Sequence, residues 1–218
     1  MNTENTHLEA LQNIKEMMER SSRFISLSGL SGIAAGTCAL IGAAVAYPIV
    51  SRSHLNTAER NPEELISYNH EFLIKDYTGS TLFTIAACTL LAAICFAFLF
   101  TYLRSKKTNT PIWSASSRRL TLNVMLPLVA GGIYLFRLLQ IGTYGLIAPG
   151  CLIFYGLALL NASKYTLREV RYLGICEIIL GIINLWVIGK GIYFWAFGFG
   201  ILHILYGSLM WWKYERKQ

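Results

Sequence analysis

Two ionisable side chains stand where such groups are rare. Glu177 and His203 each interrupt a long apolar stretch near the end of the 218-residue chain, and the stretches meet at a Gly189-Lys190-Gly191 turn. Glu177 lies thirteen residues before Lys190, and His203 thirteen after it. If both stretches are helical, a rise of about 1.5 Å per residue sets the two groups at equal depth on antiparallel neighbours. A carboxyl and an imidazole so placed can share a proton, hold a polar ligand or satisfy one another. An acid at the centre of a bilayer costs roughly 3 kcal/mol against insertion, so a group retained there calls for a partner and a purpose. Glu177 and His203 are therefore the candidate intramembrane polar site, with Tyr206, about one turn beyond His203, the nearest further reactive group.

Other chemistry is sought and not found. The chain has no HExxH, GxSxG, P-loop or GxGxxG motif and no paired aspartates within an apolar stretch. Five cysteines, Cys38, Cys88, Cys95, Cys151 and Cys176, lie inside apolar stretches without a CxxC spacing, and read as small buried hydrophobes. His54 and His70 share a polar loop with Glu63, Glu64, Glu71 and Asp76, at spacings that match no ligand motif. Asn123, Asn161 and Asn184 read as hydrogen-bonding glue between helices. No catalytic residue, metal or cofactor is expected.

The elements that must position this pair follow from composition. The chain is 54% hydrophobic and 14% charged, with a mean hydropathy of +0.46. Soluble domains hold about 25% charged residues, so this chain belongs to the membrane class. The net charge of +7 does not indicate nucleic acid, because the basic residues fall between apolar stretches rather than along one face. The expected fold is an all-α integral membrane protein with six transmembrane helices arranged as three consecutive hairpins. The spans are read at about 24–50, 79–103, 120–139, 145–161, 172–189 and 192–212. A cytoplasmic amphipathic arm, 1–23, precedes them, with a helix over Thr6–Ser22 opened by a Thr6-to-Glu9 capping box. No early apolar run suggests a signal peptide, so the first span reads as an anchor. Asn61-Pro62-Glu63-Glu64 predicts a short extracytoplasmic helix to about Asp76. A basic tail, 213–218, closes the chain.

Within the spans, Ser28, Gly32 and Gly36 recur every four residues, a spacing that lets a second helix approach closely. Pro127 and Gly131-Gly132 predict a kink in span three. Tyr155-Gly156 in span four and Tyr206-Gly207 in span six form a faint repeat at an offset of fifty-one.

Orientation follows from the basic residues. Fourteen of the nineteen Lys and Arg fall in the N-terminal arm, the 104–119 and 163–171 loops and the tail. The positive-inside rule puts those segments, and both termini, in the cytoplasm, with the plasma (inner) membrane the expected location. The functional expectation is a non-enzymatic polytopic membrane protein that binds a ligand, lipid or protein partner and signals to the cytoplasm. The second reading is a small proton-linked transporter or channel using Glu177 and His203. Membrane lipids and a cytoplasmic protein are the partners that suit it, and a homo-oligomer is compatible with the small-residue stripe.

Overall fold

The computed structural model describes residues 28–58, 77–108 and 113–216. Among these the structure is helical and contains no strand. The helices are α1 (Gly29–Ala58), α2 (Tyr77–Thr108), α3 (Ala115–Gln140), α4 (Ile147–Ala162), α5 (Arg168–Trp186) and α6 (Gly191–Tyr214). A single 3-10 turn, Tyr144–Leu146, leads into α4. The N-terminal arm and the helix expected from Asn61 to Asp76 lie outside the described residues.

Among the described residues, five segments are long and apolar enough to cross a membrane: Gly29–Ser51, Thr81–Thr108, Ser116–Gln140, Tyr144–Ala162 and Gly191–Tyr214. The sixth helix, α5, has 19 residues and carries Arg168, Glu169 and Arg171 at its start and Glu177 within it. Large apolar side chains face outward, with Leu126 72%, Ile133 68% and Phe98 63% exposed. Apolar faces of this extent, on helices of membrane-spanning length, suggest a membrane protein.

Packing follows where side chains are absent. α2 lies on α1, α1 on α6, and α4 on both α3 and α5. A Cβ on Gly207 of α6 would fall 2.7 Å from the Gly29 carbonyl oxygen and 2.7 Å from the Ile33 nitrogen, so α1 and α6 touch backbone to backbone. Gly156 of α4 stands in the same relation to α5, its missing Cβ 2.7 Å from the Gly174 carbonyl oxygen. The first two expected hairpins, α1/α2 and α3/α4, are tightly packed pairs. In the third, α5 and α6 pack more closely on α4 and α1 than on each other. The reason is local: side chains separate α5 from α6, whereas glycines face the other two contacts.

Ser28, Gly32 and Gly36 all face α6. Ser28 is buried, and Cβ atoms on Gly32 and Gly36 would lie 3.1 Å from the Gly207 Cα and 2.7 Å from the Gly200 oxygen. Gly142 (φ 75°) and Gly189 (φ 88°) hold the turns after α3 and α5 in the left-handed region that side chains disfavour.

Two expectations, for the cysteines and for Asn123, are corrected. α3 stays helical through Pro127 and Gly131-Gly132, since losing one amide donor leaves the rest of the ladder intact. The irregular span is α6, which is π-helical over Ala196–Leu202. None of the five cysteines belongs to the core; Cys88 and Cys95 are exposed on α2 and the others are half-buried. α2 packs chiefly on α1 at one edge of the molecule, so most of its surface faces outward. Asn123 does not bridge helices: its Nδ2 donates to the Arg119 carbonyl one turn back, on the exposed side of α3.

Candidate functional site

The buried face of α5 reads Val170, Leu173, Gly174, Glu177, Gly181 and Asn184. Spacings of three and four residues bring these onto one stripe. Gly174 and Gly181 admit the backbone of α4 one turn to either side of Glu177, which leaves the acid 0% exposed. α6 makes room for it as well. A Cβ on Gly198 would lie 2.6 Å from Glu177 Oε2, so any larger residue at 198 competes with the carboxyl for the same space.

His203 comes from α6, where the π segment ends. Its Nδ1 is 3.5 Å from Glu177 Oε1 and 3.0 Å from the Gly198 carbonyl oxygen. Its Nε2 is 2.8 Å from the hydroxyl of Tyr155, on α4. A carbonyl only accepts, so the proton of the neutral ring sits on Nδ1, which donates to Gly198, while Nε2 accepts from the Tyr155 hydroxyl. π turns are rare and recur at functional sites; this one brings the Gly198 carbonyl to the imidazole five residues further on.

Aromatic rings frame the histidine. The Phe199 ring is 6.1 Å from that of His203 at an interplanar angle of 29°, and 5.1 Å from that of Tyr155. Trp195 packs on Phe199 at 5.4 Å. The site thus draws one polar side chain from each of three helices: Tyr155 from α4, Glu177 from α5 and His203 from α6.

Hydrogen bonding is incomplete at one place. Among the described residues, three buried side-chain polar atoms lack a hydrogen-bond partner: Oε1 and Oε2 of Glu177 and Nδ2 of Asn184. Leaving such a group unpaired costs about 1–3 kcal/mol, more when it is charged. The acid is therefore placed to take up a proton or another positively charged group.

The structure brings together the two residues singled out by spacing. It places Ser28, Gly32 and Gly36 on the α1/α6 contact instead, and pairs the Tyr206 hydroxyl with Cys176 Sγ at 3.7 Å rather than with the acid. Tyr155 and Gly198 escaped the sequence reading. The Tyr-Gly repeat contained Tyr155, but nothing in it indicated that its ring would reach across to α6. No group of three or more metal-ligating side chains occurs among the described residues, and the side chains of His54 and His70 lie outside them.

A second polar region lies where α5 begins and α6 ends. Lys213 Nζ is 2.6 Å from Glu169 Oε1, and the Tyr214 hydroxyl donates to the same carboxylate at 3.1 Å. An open cleft of about 510 Å³ is lined there by Glu169, Leu209, Trp212 and Lys213. Its charges satisfy one another, which distinguishes it from the centre at Glu177. Comparison of the chain with protein-family models, with curated proteins and with solved structures returns no match.

Proposed function

We propose that this chain is a non-enzymatic integral membrane protein with six spans and cytoplasmic termini, and that its role is proton-linked transport centred on Glu177 and His203. The observation that carries the reading is a fully buried carboxyl, without a hydrogen-bond partner, 3.5 Å from an imidazole nitrogen. A structural ion pair is expected to satisfy its oxygens; this one leaves both open. Depth supports the reading too. Glu177 lies nine residues before the end of α5 and His203 twelve after the start of α6, roughly 14 and 18 Å from those ends. The topology draws support from the polar contacts among Ser28, Arg104 and Glu215, which gather the start of α1, the end of α2 and the end of α6 at one end of the molecule.

The test is flux. The purified chain is reconstituted in liposomes that contain a pH-sensitive dye, and a pH gradient is imposed. Wild type should dissipate the gradient, and Glu177→Gln, shown to be folded by circular dichroism and gel filtration, should lose at least nine-tenths of that rate. Equal rates for the two proteins, or no flux above protein-free liposomes, would remove the transport role and leave ligand or partner binding as the function.

A further inference from the structure

We infer that Tyr155 is the proton-entry residue of this centre and that His203 relays the proton from it to Glu177 by changing tautomer. The inference rests on the proton-linked reading above and names the path that serves it.

The three groups are in line. Tyr155 donates to Nε2 of His203, and Nδ1 on the other side of the same ring faces Glu177 Oε1. The two ends differ in access. Glu177 is fully buried, whereas Tyr155 and Phe199 are half-buried on the side where α4 and α6 part. These two helices approach closely over Gly191–Trp195, where Gly191 meets Ala148, and beyond that point rings bridge them instead of backbone contact. The phenol is the outermost of the three groups, so a proton arriving with water that enters between α4 and α6 meets it first.

The step balances in protons and involves no redox change. A hydronium ion at the α4/α6 side gives a proton to the Tyr155 oxygen and leaves as water. The original Tyr155 O–H bond breaks as Nε2–H forms. The Nδ1–H bond breaks as O–H forms on Glu177 Oε1. The carboxylate ends neutral, the imidazole ends neutral in the other tautomer, and the phenol is regenerated. The 3.5 Å separation of Nδ1 and Oε1 must close to ordinary hydrogen-bond length for the last transfer. Gly198 gives the path a direction. Its carbonyl accepts from Nδ1–H in the resting ring and loses that donor once the proton has passed. The loaded state thus forfeits the contact between Nδ1–H and this carbonyl, which favours return to the resting tautomer after Glu177 releases its proton.

The titratable neighbours of the acid are few. From α6 come His203 and Tyr206, from α4 Tyr155 and, one turn before it, Cys151, and from α5 itself Cys176, whose thiol pairs with Tyr206. Only His203 and Tyr155 lie on the line to Glu177.

The experiment uses the full chain in lipid nanodiscs. The infrared carbonyl band present in wild type and absent in Glu177→Gln reports protonation of Glu177, and its growth is followed after a downward pH jump. Tyr155→Phe removes one oxygen and keeps the ring stack. It should slow the growth of the band on the order of tenfold or more while leaving the equilibrium titration midpoint in place. Tyr155→His keeps a ring with a donating N–H and should recover most of the rate, and it serves as the test by itself if the phenylalanine variant does not fold. Wild-type kinetics in Tyr155→Phe overturn the relay, as does a midpoint shift of the same size in both variants, which marks Tyr155 as structural. A wild-type protein with no titrating Glu177 band overturns the proton-linked reading itself; a titrating band with no dependence on Tyr155 overturns the relay alone.

Discussion

Glu215, at the end of α6, accepts a hydrogen bond from the backbone N–H of Gly29, at the start of α1. Its carboxylate also accepts from the Ser28 hydroxyl at 3.2 Å and from Arg104 Nη1 at 2.8 Å. The first amides of a helix have no partner within it and carry partial positive charge, so a carboxylate is well suited to that end. Usually a residue just before the helix supplies the cap; here it comes from the far end of the chain, and α1, α2 and α6 are held together by one side chain.

Removing that carboxylate should therefore loosen three helices at once. Glu215→Ala is expected to destabilise the protein by about 1–3 kcal/mol, the range for a lost cap together with a charge-assisted hydrogen bond. Thermal unfolding in mild detergent measures it. Glu215→Gln keeps an acceptor oxygen and should lie between wild type and alanine; an unchanged transition in both variants would show that the contact contributes nothing.

Glycines that look alike in the sequence should respond differently. Gly207→Ala places a Cβ against the backbone of α1, with no flexible side chain to give way, and should cost about 1–3 kcal/mol as overpacking does. Gly132→Ala meets nothing within 4 Å and should be neutral or, through helix propensity, stabilising by up to about 1 kcal/mol. Melting the two variants side by side checks this, and equal losses would contradict the α1/α6 contact.

Coupling between Glu177 and His203 is open to a double-mutant cycle. With Glu177→Gln and His203→Ala, the interaction term should reach at least about 0.5 kcal/mol, because the groups are close enough to interact directly. Strictly additive losses would show that the two residues act independently.

Orientation is tested by reporters. A fusion at Gln218 to an enzyme active only in the cytoplasm should be active, and the same enzyme inserted next to Asn61 should be silent. The motivation is the fourteen of nineteen basic residues assigned to one side. The opposite pattern, with both fusions well expressed, reverses the topology.

Periodicity and composition were enough to locate the helices, because a run of apolar side chains in helix is the same signal wherever it packs. Their ends were harder to read. α1 continues to Ala58 and α2 to Thr108, past the apolar runs that announced them, since a helix continues as long as its backbone bonds are met, whatever its side chains. Neighbour choice was harder still. Chain order suggests that α5 and α6, joined by a tight turn, should be each other's closest contact. Gly174 and Gly207 direct them instead to α4 and α1, where the backbones can meet.

The site divides in the same way. Residue type and count alone indicated that Glu177 and His203 would share a level along their two helices, because their spacings from the short turn are equal. Which way each side chain points depends on rotation about the helix axis, and thirteen residues of spacing do not encode it. Tertiary structure decided that: the π segment at Ala196–Leu202 sets the position of His203, Gly198 leaves space for the acid, and Tyr155 reaches in from a helix some fifty residues earlier in the chain. A glycine is recognisable in any sequence, but the contact it permits exists only once a second helix has come close enough to need it.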